Sequence, residues 1–323
     1  MSMKLRKVLT ICAMACAVLL CVWAFFRIPH RQHDVAADAG HLTVADLRQT
    51  SSKDQNALIA SVANLKKKPL SRVQSASELP ALPPAGRPDL IIEVMRPYAE
   101  LGSVQAMKYL SDGLQTCANV KDLPDPILER EAVDYVARFL EFTDLVGQKV
   151  DADAMKAEAA QGLELQKSAR EACLSVGVEE SMRWIDWLEN AANAGDADAM
   201  RNYLYRALVD YHSAGDAALY MDEVRRRKER AFGYGRELLA SGDCGHLQQM
   251  AIYAPTPLDA AIYMIATSEQ GKQIMIASGE PDLNNSLQIV DAATQATLAR
   301  LGIQYSSNIR DAANHILNTY CGS

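Results

Sequence analysis

The chain has 323 residues, a formal net charge of −7, 49% hydrophobic residues and only 6% aromatic ones. Its first 33 residues hold five of the 33 Lys and Arg and no acid, so the remainder carries 28 basic against 40 acidic side chains, a balance of −12. That excess of acid argues against a nucleic-acid binder, which shows a basic footprint. The seven cysteines include no CxxC pair, which argues against a zinc or thiol-redox module.

At the amino terminus, Lys4, Arg6 and Lys7 precede 19 uncharged residues, Val8 to Phe26, and Arg27 ends the run. A helix of that length rises about 28 Å, close to the hydrocarbon thickness of a bilayer. The spacing predicts an uncleaved signal anchor over residues 1–28. A cleaved signal peptide is the alternative, with Ala13-Met14-Ala15 inside the run and Val35-Ala36-Ala37 beyond it as candidate cleavage sites. Lipid modification of Cys21 is a third, disfavoured because Leu20 stands where a small residue is wanted. Cys12 and Cys16 fall in the same apolar run, where thiols act as small hydrophobes. The leading positive charges favour a cytoplasmic start with the body outside, against the softening influence of Arg27 and Arg31. The expected address is the bacterial inner membrane, single-pass, with the body in the periplasm.

Residues 29–88 read as a flexible tether. Leu42 to Leu65 suits a short helix, Lys66-Lys67-Lys68 comes next, and Pro69, Pro80, Pro83, Pro84 and Pro88 favour extended chain thereafter. His30-x-x-His33 falls here too and has no nearby third ligand, so it reads as a juxtamembrane pair rather than a metal site.

From residue 89 to 323 the pattern is helical, with apolar residues at helical spacing and no convincing alternation of period two. Three helix ends coincide with new beginnings at Gly102-Ser103, Gly195-Asp196 and Gly242-Asp243. Glycine suits the left-handed residue that closes a helix, and Ser or Asp caps the next. Around the first two the match widens: Ala99-x-x-Gly102-x-x-x-Ala106-Met107 returns as Ala192-x-x-Gly195-x-x-x-Ala199-Met200. Each copy predicts a helix-turn-helix hairpin whose alanines let two helices approach closely. The string Asp151-Ala152-Asp153-Ala154-Met155 is identical to Asp196–Met200 and marks either a degenerate unit between the two or a chance recurrence, since Val150 replaces the glycine.

The stretch Trp187-Leu188-Glu189-Asn190-Ala191-Ala192-Asn193-Ala194-Gly195-Asp196-Ala197-Asp198-Ala199-Met200 resembles the Sel-one-like repeat, a relative of the tetratricopeptide repeat. The resemblance is good over about 30 residues, fair around Gly102 and thin around Gly242, where Leu239 and Leu247 stand near the turn. It implies an α-helical solenoid used as an interaction scaffold in bacterial envelope proteins. The long intervals between the glycines predict an irregular stack with extra helices between hairpins.

Trp184 and Trp187 lie three apart on one helix, with Tyr203 and Tyr205 in its hairpin partner. They read either as packing between the helices or as anchors for a protein partner. Further on, the basic run from Arg225 to Arg230 comes after Asp222-Glu223 on a helix and reads as a solvated face or a contact for an acidic partner.

Four cysteines remain in the body. Pairing Cys117 with Cys173 and Cys244 with Cys321 would close one contiguous helical section each and suit an oxidising compartment; four reduced thiols are the alternative. Cys244-Gly245-His246 invites a Cys/His nucleophile, but a disulfided cysteine beside a surface histidine is the safer expectation. No phosphate loop, HExxH pair or GxSxG elbow occurs, so no catalytic residue, metal ligand or cofactor is expected. The functional expectation is a membrane-tethered periplasmic scaffold for a protein partner, with an immunity or inhibitor protein and an envelope enzyme behind it.

Overall fold

The computed structural model describes residues 79–145, 150–211, 218–279 and 283–322. The expected anchor and all but the last ten residues of the tether lie outside them. Among the described residues there is no strand, and no helix is long and apolar enough to cross a membrane. The helices are α1 (Pro88–Glu100), α2 (Val104–Val120), α3 (Asp125–Leu145), α4 (Ala152–Cys173), the single turn α5 (Val178–Ser181), α6 (Trp184–Asn193), α7 (Ala197–Arg206), α8 (Met221–Ala240), α9 (Leu247–Tyr253), α10 (Pro257–Ser278), α11 (Leu283–Arg300) and α12 (Ser307–Ile316). A π-helical turn, Leu317–Cys321, completes the order. The chain forms two compact units divided inside α8, one reaching Val224 and the other starting at Arg225.

In the first unit α1 starts one residue before the expected Asp89. Pro88 occupies its first turn, where the missing N–H costs nothing. α2 is the central element and packs on α1, α4, α5 and α6. Its Ala106, Leu110, Leu114 and Cys117 are fully buried, and each large apolar side chain so covered contributes roughly 1.5–3 kcal/mol. α1 can lie close because α2 carries Gly113, where a Cβ would sit 3.3 Å from Ile92. The hairpin α3–α4 packs on α2 through α4 and contributes little else to the core than Leu128, Ala169 and Cys173. Cys173 is joined to Cys117 by a disulfide with a Cα–Cα distance of 5.2 Å.

Three of the turns have one geometry. Gly102, Gly195 and Gly242 have φ of 91°, 91° and 92°. In each, the glycine N–H donates three residues back and the next N–H donates five back, as in Gly102 to Ala99 O at 2.9 Å and Ser103 to Tyr98 O at 2.9 Å. This is the Schellman pattern, which satisfies carbonyls orphaned at the helix end. Ser103 then caps α2 by accepting from Ala106 N, and Asp196 caps α7 by accepting from Ala199 N at 2.7 Å. The third turn departs from the expectation. Asp243 accepts from Gly245 N at 3.1 Å and caps no helix, because α9 begins only at Leu247.

The second unit centres on α10, which packs on α9, α11 and α12. Leu239, Leu247, Met250, Ile262, Tyr263, Ala313, Ile316 and Tyr320 form its core, with Phe232 edge-on to Tyr263 at 5.8 Å. Thr256 caps α10 reciprocally: its hydroxyl accepts from Asp259 N at 3.1 Å and donates to the Asp259 carboxylate at 2.7 Å. Burial nonetheless pushes the Asp259 carboxyl above the usual range. Cys244 is joined to Cys321 at a Cα–Cα distance of 5.8 Å, which ties the turn after α8 to the carboxy-terminal π-turn.

Candidate protein-interaction surface

The two matching hairpins, α1–α2 and α6–α7, meet through α2 and α6. Small residues border both turns: Ala99, Ala106, Ala191, Ala192 and Ala199 are all buried. Polar contacts fix their register. Ser111 Oγ on α2 donates to the backbone carbonyl of Trp184 at 2.8 Å, a buried bond between the helices. Lys108 Nζ reaches Asp196 Oδ1 at 3.2 Å and Asp198 at 3.5 Å, so the carboxylate that caps α7 also pairs with the neighbouring hairpin. Arg206 Nη1 donates to Asp112 and Gln115 of α2, both at 2.8 Å.

The four aromatic candidates do not act as one surface. Trp184 is fully buried and its indole N–H donates to Asp210 at 3.2 Å. Tyr203 is equally buried and its hydroxyl donates to the buried carboxylate of Glu189 at 3.1 Å. Both rings fill space between helices and cannot meet a partner without unfolding the hairpin, so neither is a partner contact. Trp187 is half-buried, its indole nitrogen enclosed. Tyr205 is 55% exposed, with Val209 exposed just beyond α7. The periodicity could not separate Tyr203 from Tyr205, because two residues on a helix sit about 200° apart and only the docking of α7 says which side is inside.

Lys108, Ser111 and Arg206, which hold the hairpins together, were not legible as such. A polar residue on an amphipathic helix gives no sign of a partner more than 70 positions away. One further turn was legible but missed: Ala99-Glu100-Leu101-Gly102 has a counterpart in Ala299-Arg300-Leu301-Gly302. There Gly302 has φ 69° and the same pair of backbone hydrogen bonds.

His246 corrects an expectation. It is 1% exposed rather than on the surface, with its Nε2 3.1 Å from Gly235 O and Nδ1 3.5 Å from Asp243. Cys244 beside it is consumed in the disulfide, so the pair offers no thiolate nucleophile. The basic run lies on α8 as read, with Arg225, Lys228 and Arg230 exposed and Arg227 buried.

A small polar cleft of about 200 Å³ opens among α10, α11 and α12. Lys272 Nζ lies 3.0 Å from Glu269 and also pairs with Asp291, while Arg310 stands 3.8 Å from Glu269. Burial opposes the charge on Lys272, yet hydrogen bonds to Asp291 and Glu269 hold its pKa above the usual lysine value. The amine is therefore kept as an ammonium, useful as a brace between α10 and α11 and unsuited to act as base or nucleophile. Compared with known proteins, the chain matches no family model, no curated protein and no solved structure.

Proposed function

We propose that the chain is a membrane-tethered periplasmic scaffold, an irregular solenoid of Sel-one-like hairpins that binds a protein partner by its helical surface. The observation that carries this reading is the packing of hairpin α1–α2 on hairpin α6–α7 through two turns of one geometry with alanines on either side. Stacked hairpins bury their inner faces on one another and leave an extended outer face, on which Tyr205 and Val209 supply apolar contact area. Two disulfides in the body suit an oxidising compartment, and the uncharged run from Val8 to Phe26 supplies the anchor.

The test uses the tagged full-length protein extracted in mild detergent. A stoichiometric partner is expected to co-purify, to be lost with Tyr205→Asp at unchanged melting temperature, and to be retained with His315→Ala. Association that survives substitution of the α7 surface, together with a turnover abolished by one histidine or acid, overturns the scaffold reading. A reporter active only in the periplasm, fused after Ser323, is expected to be on; a mature amino terminus near Asp38 defeats the anchor.

A further inference from the structure

The two disulfides are set in unlike surroundings. Cys117 lies inside α2 and Cys173 closes α4, and both are fully buried. Two bonds between remote positions clamp the chain around that bridge. Lys121 Nζ, one turn beyond Cys117, donates to the Val176 carbonyl, and Arg170 Nη1, one turn before Cys173, donates to the Leu123 carbonyl at 3.1 Å. Thiol–disulfide exchange needs a thiolate to reach one of the two sulfurs. Here it would first have to part α2, the central helix of its unit, from α4.

Neither Cys244 nor Cys321 lies in an α-helix. Cys244 sits between α8 and α9 and is 8% exposed, while the half-buried Cys321 ends the π-helical turn Leu317–Cys321. That turn rests on the backbone at Gly242, where a Cβ would stand 3.6 Å from the Tyr320 carbonyl oxygen. Its buried side chains are Leu317 and Tyr320. α12 packs on α10 ahead of it, with Ile309, Ala312, Ala313 and Ile316 buried. Opening a single turn therefore lays the bridge bare with the α-helices in place, and openings of that size belong to the low end of the local unfolding range.

We propose that the Cys244–Cys321 bridge is a site of thiol–disulfide exchange on the folded protein, acted on by a dithiol reductant, while Cys117–Cys173 is a permanent staple. A thiolate of the dithiol attacks Sγ of Cys321, the more exposed cysteine. The bond to Cys244 breaks, and Cys244 leaves as a thiolate that takes up a proton. The second thiol of the reductant loses its proton and attacks its own partner sulfur in the mixed disulfide, which releases Cys321 to be protonated in turn. The protein gains two electrons and two protons, and the dithiol becomes a disulfide. Having no CxxC pair, the chain is the substrate of this exchange and not its catalyst.

Full-length protein in mild detergent, incubated with dithiothreitol, quenched with N-ethylmaleimide and peptide-mapped, tests this. Cys244 and Cys321 are expected to be labelled at least tenfold faster than Cys117 and Cys173, at unchanged amide exchange in α2 and α4. With reduced glutathione in place of the dithiol, the mixed disulfide is expected on Cys321. Leu317→Ala, which loosens the π-turn, is expected to speed reduction of the Cys244–Cys321 bridge at least threefold and to leave the other at its parental rate. Equal rates at the two bridges, faster loss of Cys117–Cys173, reduction only in denaturant, or glutathione on Cys244 would overturn the proposal. So would a Leu317→Ala variant that accelerates both bridges or neither.

Discussion

Gly102 and Gly162 both face open space, with no atom beyond the adjoining backbone within 4 Å of where a Cβ would stand, yet they differ in what alanine would do there. Gly102 has φ 91° and closes α1, whereas Gly162 lies in the interior of α4. A Cβ in the left-handed region costs roughly 1–2 kcal/mol through its own backbone, while glycine in a helix interior costs about 0.8–1 kcal/mol relative to alanine. Gly102→Ala is therefore expected to lower the stability of the first unit and Gly162→Ala to raise it, both readable as shifts in the denaturant midpoint. Opposite signs at two uncrowded glycines would isolate the backbone contribution; two neutral results would remove the argument for the turn. Glycine at 102 was legible from its neighbours Ala99 and Ser103. What Gly113 does was not, because the close approach of Ile92 exists only once α1 is folded onto α2.

The two copies of Asp-Ala-Asp-Ala-Met show how far local pattern reaches. Both open a helix, and both first aspartates cap it: Asp151 accepts from Asp153 N at 3.0 Å and Ala154 N at 3.1 Å, as Asp196 accepts from Ala199 N. Capping is decided within four residues, so identical strings behave identically. Burial is not so decided. Ala199 and Met200 are buried beside α6, while Ala154 is exposed and Met155 only half-buried. Ala199→Leu is expected to cost about 1–3 kcal/mol by overpacking, and Ala154→Leu to stay within about 0.5 kcal/mol of the parent. Thermal melts of the two variants side by side would check this; similar losses would mean that the region around Asp151 is a packed repeat turn after all.

Each disulfide lies within one of the two compact units and joins positions 56 or 77 residues apart. By loop closure in the unfolded chain, either bridge contributes up to about 4 kcal/mol. Replacing Cys117 and Cys173 by Ser is expected to accelerate amide exchange through α2 and α4 while leaving α10 and α12 at parental protection, and the Cys244/Cys321 pair to do the reverse. Uniform loss across both units from either replacement would show that they unfold as one.

Residue order alone dictates the local and compositional features of this chain: an all-helical body, its start near Asp89, the glycine turns, and the caps at Ser103 and Asp196. Each of these depends on a backbone preference or a hydrogen bond closed within a few residues. The folded chain was needed to make α2 the central helix of its unit, and to turn Trp184, Tyr203 and His246 inward and Tyr205 outward. Those outcomes depend on which helices dock on which. Docking is set by contacts such as Lys108 with Asp196 and Ser111 with Trp184, whose partners are remote in the chain and leave no periodic trace.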